Sequence, residues 1–158
     1  MINIFKNQKE ANAAFENAVK IMVDAHSGQP RLNGEPYILH PLRIASKFKK
    51  MEFKIVAILH DVVEDSPEID FDTLILDLNV HAELVDALRF LTRERDQDYE
   101  EYIRMIDESP EEINELVRAV KIQDLIDNMD IIEMPKMKQK DFDRFVKYKK
   151  AFKFLNRD

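Results

Sequence analysis

The chain has 158 residues, of which 45% are hydrophobic and 35% are charged, and its formal net charge is −7. This composition predicts a single domain over 1–158 with its own hydrophobic core. The absence of cysteine excludes disulfides and thiolate metal sites. The acidic balance argues against nucleic acid or an anionic membrane as the main partner.

No apolar run approaches the roughly 20 residues that span a bilayer, and the first residues lack the charged leader and apolar core of a secretory signal. We therefore expect a soluble, cytoplasmic protein that has no membrane partner. A small anionic substrate is compatible with the negative charge if a metal and a few local cations meet it. A homo-oligomer is neither indicated nor excluded by the sequence.

The spacing of apolar residues predicts an all-α fold. From about Gln8 to Ala25 they recur every three or four positions, on one stripe of a first helix. Both glycines fall within 26–36, which predicts an irregular loop before a short helix that has Pro41 in its first turn and runs through Phe48. The other predicted helices cover 53–65, about 70–78, 81–91 and 98–108, a long segment beginning at Pro110, and, after a break at 133–139, a closing helix at about 140–156.

The segment AILHDVVEDS, residues 57–66, is the most informative part of the sequence. It places His60 and Asp61 side by side in an apolar run, with Glu64 and Asp65 one helical turn later. On a continuous helix, His60 pairs with Glu64 and Asp61 with Asp65 at a spacing of four residues. Ionisable groups are costly in an apolar interior unless their charge is compensated. A bound metal ion would compensate it.

Two other positions complete a ligand set for such an ion. His40 lies just before a predicted helix in PYILHP, and Asp124 lies within the apolar face of the long helix in KIQDLIDN. With His60 and Asp61, they provide two imidazoles and two carboxylates. This mixed set suits manganese or iron, and zinc as an alternative, and it leaves coordination positions open for water and substrate. A site of this kind is suited to hydrolysis.

The same residues carry a family resemblance. The order His40, His60-Asp61, Asp124 is the ligand order of HD-domain metal-dependent phosphohydrolases. More narrowly, three blocks between about residues 20 and 130 resemble the alarmone hydrolase domain of the RelA/SpoT family, including its small stand-alone members. The resemblance implies a single-domain, all-α HD-type helical bundle. The blocks are AHSGQPRLNGEPYILHPLRIA, AILHDVVEDS and VRAVKIQDLIDN.

The resemblance also implies an activity and a role for each matching residue. It implies that the four ligands hold manganese, and that the enzyme converts guanosine tetra- or pentaphosphate to GDP or GTP plus pyrophosphate. Glu64 and Asp65 match the acidic pair that orients the attacking water and assists proton transfer. The implied contacts with the guanine nucleotide are Arg31 at the base, Asn128 near the ribose and phosphates, and Tyr37 and Lys121 beside the matching blocks.

Departures from the family pattern leave the substrate open. Leu32 stands where many members have a basic residue after the loop arginine, and Gln123 replaces a small residue before the last ligand. The alternatives are an HD phosphohydrolase acting on another nucleotide or phosphorylated dinucleotide, and a catalytically silent alarmone-binding module. Synthetase activity is not expected, because about 30 residues follow Asn128. His26 is expected to cap or pack the end of the first helix and not to bind metal.

Overall fold

The computed structural model describes residues 4–130 and 136–157, and within these residues it contains nine helices and no strand. The predicted all-α fold is confirmed. The predicted break at 133–139 lies partly outside the described residues. The helices are α1 (Gln8–His26), α2 (Leu39–Ala45), α3 (Met51–Leu59), α4 (Val62–Asp65), α5 (Phe71–Leu76), α6 (Ala82–Leu91), α7 (Tyr99–Asp107), α8 (Glu111–Asn128) and α9 (Gln139–Leu155).

Helix α3 lies at the centre of the fold. Its residues 55–59 are all apolar and are each at most 1% exposed. Helices α1, α2, α6 and α8 all pack against it. Because neighbouring helices cover residues 55–59 on every side, this segment has no polar face, which explains its uninterrupted apolar sequence. The carboxyl end of α3 therefore delivers His60 into the interior, where this side chain is only 2% exposed.

The prediction of one helix over 53–65 is wrong, because the chain turns at His60 and Asp61 between α3 and α4. The His60 ring Nδ1 donates a hydrogen bond to the Ala57 carbonyl at 2.8 Å. In a continuous helix, the backbone N–H of Asp61 would bond to that carbonyl. The turn makes two adjacent side chains face one point, with His60 Nε2 only 3.1 Å from Asp61 Oδ2.

The loop predicted between the first two helices is present and folds back on itself. Pro30 and Pro36 form an isolated antiparallel bridge. Next to it, the Arg31 backbone N–H donates to the Glu35 carbonyl at 2.8 Å. Gly34 occupies the tip with φ +89°, a left-handed conformation that glycine adopts at little cost. The bridge therefore gives an irregular segment a defined shape beside α2.

Helix α9 packs against α7 and α8. Ala151 and Leu155 are buried on its inner face, and the Arg118 guanidinium of α8 donates to the Leu155 carbonyl at 2.5 Å. The same core cluster contains Ala18 of α1 and Leu155 of α9. That residues 1–158 form a single domain stays a prediction. None of the described helices combines the length and apolar character needed to cross a bilayer.

Candidate metal centre

The four predicted ligand side chains meet where α2, α8 and the turn between α3 and α4 come together. His40 Nε2 lies 3.2 Å from Asp124 Oδ1 and 3.6 Å from Asp61 Oδ2. His60 Nε2 lies 3.6 Å and 3.1 Å from the same two oxygens. His40, His60 and Asp124 each offer a ligand atom, and these atoms lie within 4.8 Å of one another. Residues far apart in sequence thus surround one small space.

The orientation of the two imidazoles fits a metal ion in that space. His40 Nδ1 donates to Asp127 Oδ2 at 2.7 Å, and His60 Nδ1 donates to the Ala57 carbonyl at 2.8 Å. Both Nε2 atoms are buried and make no hydrogen bond, although carboxylate oxygens lie near them. A ring that donates from Nδ1 presents a lone pair on Nε2, which is the usual arrangement of a metal-binding histidine. The ligand roles themselves stay predictions.

The carboxylates of this cluster keep their charge despite burial. Burial alone would raise their pKa, but the neighbouring His60 holds the pKa of Asp61 well below its usual range. Lys121 and both histidines likewise hold the pKa of Asp124 far below normal. Burial opposes the charged form of the imidazoles, yet the adjacent carboxylates raise the pKa of His40 and His60. The two carboxylates are therefore ionised at neutral pH, as cation binding requires.

Glu64 and Asp65 lie on α4, beside the ligand cluster. Glu64 Oε1 accepts a hydrogen bond from the Arg93 backbone N–H, and burial raises the pKa of this carboxyl. Asp65 Oδ2 accepts a hydrogen bond from Gln29 Nε2 at 3.1 Å. Both acids line a cavity of about 250 Å³, and the predicted ligands Asp61 and Asp124 line it as well. The acidic pair thus faces the same space as the predicted metal ligands.

Three of the residues predicted to contact substrate touch predicted metal ligands instead. The Tyr37 hydroxyl donates to Asp61 Oδ2. Lys121 Nζ pairs with Asp124 Oδ2 at 2.8 Å, and Asn128 Nδ2 donates to Asp124 Oδ1 at 2.5 Å. In this conformation these groups orient carboxylates. Their contact with a substrate stays a prediction, although all three line the 250 Å³ cavity.

The remaining predicted substrate residue, Arg31, is held by the protein and has a side chain only 16% exposed. Its Nη1 lies 2.6 Å from Asp127 Oδ2, and its Nη2 donates to Asn128 Oδ1 at 2.9 Å. The guanidinium nevertheless lines a second cavity of about 850 Å³. The contact of Arg31 with a guanine base stays a prediction.

Sequence reasoning missed Asp127, which bonds to His40 and to two arginines. It lies three residues after Asp124, so the two side chains share one face of α8, and this spacing could have indicated it. Sequence reasoning also missed Arg43 and Glu35, which are joined to each other at 2.7 Å. Arg43 lies three residues after His40 on α2, but no sequence signal indicates that Glu35 pairs with it.

The two cavities adjoin. Tyr37, Asn128 and Tyr148 line both of them, which places the 850 Å³ cavity next to the 250 Å³ cavity. Lys147 and Arg93 also line the smaller one. Burial, followed by the repulsion of nearby cations, lowers the pKa of Lys147. The smaller cavity therefore has ionised carboxylates and a group of cations in its walls, as an anionic substrate bound through a metal would require.

His26 ends α1 and is buried, as expected from the sequence. Its Nδ1 donates to Gln29 Oε1 at 2.8 Å, and its ring centroid lies 4.7 Å from that of Tyr37. Among the described residues, the group of side chains close enough to share a metal ion contains His40, His60 and Asp124, and it does not contain His26.

Comparisons with known proteins agree with the motifs. No protein-family model matches the chain. A guanosine-3′,5′-bis(diphosphate) 3′-pyrophosphohydrolase of Haemophilus influenzae is 34% identical over 116 residues, which are 67% of this chain and 17% of that protein. A probable enzyme of the same name from Mycoplasma genitalium is 30% identical over 152 residues, which are 84% of this chain and 21% of that protein. The chain thus spans about a fifth of the length of these relatives.

A solved structure is also similar. It is described as a metazoan ortholog of SpoT that hydrolyses ppGpp and plays a role in starvation responses. The TM-score is 0.71 with 22% sequence identity, and the match covers 91% of this chain and 86% of that one. At this identity the likeness establishes that the two chains share a helical fold.

Proposed function

We propose that this chain, which belongs to the RelA/SpoT-type HD hydrolase domains, is a metal-dependent nucleotide pyrophosphohydrolase. The proposed substrate is guanosine tetra- or pentaphosphate, and the products are GDP or GTP plus pyrophosphate. The observation that carries the proposal is the pair of buried, unbonded Nε2 atoms of His40 and His60, which face two ionised carboxylates at the wall of a cavity. The names of the relatives support the choice of substrate.

We assign His40, His60, Asp61 and Asp124 to the metal. Manganese is the proposed ion, with iron and zinc as alternatives, because the donors are two nitrogens and two carboxylates. An ion held by these residues would act as a Lewis acid and make water a nucleophile at neutral pH. The proposed reaction site is therefore the 250 Å³ cavity that Asp61 and Asp124 line.

Glu64 is the proposed proton acceptor. In the reaction, water forms a bond to the phosphorus attached to the ribose 3′ oxygen, and the bond between that phosphorus and the 3′ oxygen breaks. The water loses a proton and the 3′ oxygen gains one, leaving a hydroxyl on the nucleotide and free pyrophosphate. The raised pKa of Glu64 suits a carboxyl that accepts a proton and returns it. Asp65, which Gln29 holds in place, is proposed to orient the water.

The cations around the smaller cavity are proposed to bind the phosphates. Arg93 and Lys147 line it together with the acids, and the lowered pKa of Lys147 reflects burial and repulsion by nearby cations. Phosphate oxygens would relieve that repulsion. The adjoining 850 Å³ cavity, which Arg31 and Asn128 line, is the proposed place of the nucleoside. A cytoplasmic location stays a prediction from the sequence.

The test is pyrophosphate release from guanosine tetraphosphate by metal-stripped protein, with and without added manganese. We expect activity only with the metal, and loss of at least about a hundredfold in Asp61→Ala. Asp86→Ala is the matched control, because this carboxylate is on α6 and its side chain is 65% exposed. Absence of release by the wild-type protein with manganese would refute the proposed reaction.

Leu32 favours a second candidate substrate. Its side chain lines the 850 Å³ cavity and the residue is 62% exposed, so the cavity has an apolar group at this position. Another nucleotide or a phosphorylated dinucleotide would then use the same ligands and the same Glu64. A panel of these nucleotides, assayed with Leu32→Lys beside the wild type, separates the two candidates. Binding of the tetraphosphate without turnover of any nucleotide would identify a silent binding module.

A further inference from the structure

One carboxylate, that of Asp127, receives hydrogen bonds from three side chains, two on α2 and one on the loop before it. His40 Nδ1 of α2 donates to Oδ2 at 2.7 Å, and Arg31 Nη1 of the preceding loop donates to the same oxygen at 2.6 Å. Arg43 of α2 donates to Oδ1 from Nε at 2.7 Å and to Oδ2 from Nη2 at 3.0 Å. The Asp127 side chain is 14% exposed. It therefore joins a predicted metal ligand to the loop beside the larger cavity.

Glu35 completes the charge balance of this network. Arg43 Nη2 and Nη1 donate to the two Glu35 oxygens at 2.7 Å and 3.1 Å, and Arg31 Nη1 lies 3.4 Å from Glu35 Oε1. Two guanidinium groups thus meet two carboxylates. Because the arginines and the carboxylates are equal in number and hydrogen-bonded, this partly buried network contains no lone charge.

The bond from His40 to Asp127 sets which ring nitrogen is available to a metal. A carboxylate only accepts, so the proton of a neutral ring is on Nδ1 and the lone pair is on Nε2. His40 is 1% exposed and its Nε2 has no hydrogen-bond partner. Among the described residues, Asp127 is the one acceptor found at Nδ1 of His40. Without Asp127, the ring would lose the bond that selects its tautomer and its orientation.

The bonds from the arginines hold the loop. Arg31 ties the segment between α1 and α2 to the last turn of α8, through Asp127 and through Asn128 Oδ1 at 2.9 Å. Leu32 and Glu35 of this segment line the 850 Å³ cavity beside Arg31. The position of that wall therefore depends on the same carboxylate that orients His40.

We infer that Asp127 is a positioning residue that couples the orientation of His40 in the metal centre to the position of the loop that carries Arg31. The inference rests on the proposed function, because it takes His40 as a ligand of the proposed ion. It adds a residue that touches neither the ion nor the reacting phosphate. It also means that a substitution at one position affects both metal affinity and nucleotide binding.

The test compares Asp127→Asn with Glu35→Gln by titration calorimetry of metal-stripped protein with manganese. Asp127→Asn keeps the shape of the side chain and removes its charge. We expect its manganese affinity to fall by about 10- to 100-fold, as is usual when the partner of a metal-binding histidine is substituted. The remaining amide oxygen is uncharged, and the new amide NH2 group would face a donor of Arg43. Glu35→Gln is the matched control, because Glu35 belongs to the same network but does not bond to His40. Its manganese affinity should stay within about threefold of the wild type.

The kinetic comparison separates positioning from a general loss of structure. At saturating manganese, Asp127→Asn should recover most of kcat but keep a raised KM, because the metal restores the ligand orientation while the loop stays loosened. Glu35→Gln should raise KM alone. Asp127→Glu keeps the charge and should recover part of the metal affinity, and it replaces Asp127→Asn if that variant does not fold.

Two results would overturn the inference. One is a manganese affinity of the Asp127 variant within about threefold of the wild type. The other is an equal loss of affinity in Glu35→Gln, which would mean that the network acts on the metal only through general stability. Because calorimetry needs no turnover, a chain that binds manganese but hydrolyses no nucleotide would contradict the proposed function and still test this inference.

Discussion

Replacing Lys121 by methionine should destabilise the metal-free protein far more than the manganese-bound protein. Lys121 Nζ lies 2.8 Å from Asp124 Oδ2, and the side chains are 13% and 6% exposed. With an effective dielectric constant of about 20, two unit charges at this distance attract by about 6 kcal/mol. Breaking such a pair typically costs about 3 to 5 kcal/mol, since it leaves a buried charge without a partner. Methionine keeps most of the aliphatic stem beside Tyr102, whose ring centre lies 5.1 Å from Nζ.

The expected loss is at the low end of that range, about 3 kcal/mol, because Asn128 and the two imidazoles still contact Asp124. A bound manganese ion would neutralise the same carboxylate, so the loss should fall below about 1 kcal/mol when the metal is present. The assay is urea unfolding followed by circular dichroism, in chelator and in excess manganese. Lys20→Met, on the exposed face of α1, is the control and should change stability by less than about 0.5 kcal/mol.

Equal losses of stability for Lys121→Met with and without manganese would refute this reasoning, since they would show that the metal does not neutralise Asp124. A loss below about 1 kcal/mol in chelator would also refute it, because the buried carboxylate would then tolerate the absence of the ammonium group.

Three further predictions follow from the same structure. Manganese at about a hundred times its Kd should stabilise the wild type by about 2.7 kcal/mol and raise Tm by about 5 to 10 °C, and a similar rise in His60→Ala would contradict the ligand assignment. Tyr37→Phe removes the hydroxyl that donates to Asp61 and should lower metal-free stability by about 1.5 to 3 kcal/mol in urea unfolding, so an unchanged midpoint would exclude this bond. Replacing the fully buried Ile58 of α3 by alanine should cost about 2 to 5 kcal/mol, and a loss under about 1 kcal/mol would mean that the core around Ile58 is not close-packed.

Helices such as α1 and α8 could be predicted because each follows a local rule. The apolar stripe of α1, the proline before α8 and the glycines between α1 and α2 are signals within a few residues of one another. The break at His60 could not be predicted in the same way. A continuous apolar segment shows the same sequence pattern whether the helix continues through it or ends within it. Here the helix ends where the His60 side chain competes with the backbone N–H of Asp61 for the Ala57 carbonyl.

In the candidate site too, local motifs could be found from the sequence, whereas contacts between distant residues could not. The proximity of the proposed ligands and the acidic pair could be predicted, because these residues lie in short motifs with defined spacing, and their roles stay predictions. The network of Arg31, Glu35, Arg43 and Asp127 could not, since Arg31 and Asp127 are 96 positions apart and each residue alone resembles a solvated charge. Tyr148 likewise lines the same two cavities as Tyr37 because α9 packs against α7 and α8.

The burial of charge in this fold makes its stability depend on what occupies the site. An apolar helix surrounded by four others brings His60 into the interior, and the turn that follows adds Asp61 beside it. When no metal is bound, the ammonium group of Lys121 is the main group that holds the pKa of the buried Asp124 low. A divalent ion would compensate part of the same negative charge. Metal binding and folding of the chain therefore depend on the same interactions. Substitutions around the centre should therefore be measured in both metal states, because the metal-free loss alone would overstate their effect on the bound protein.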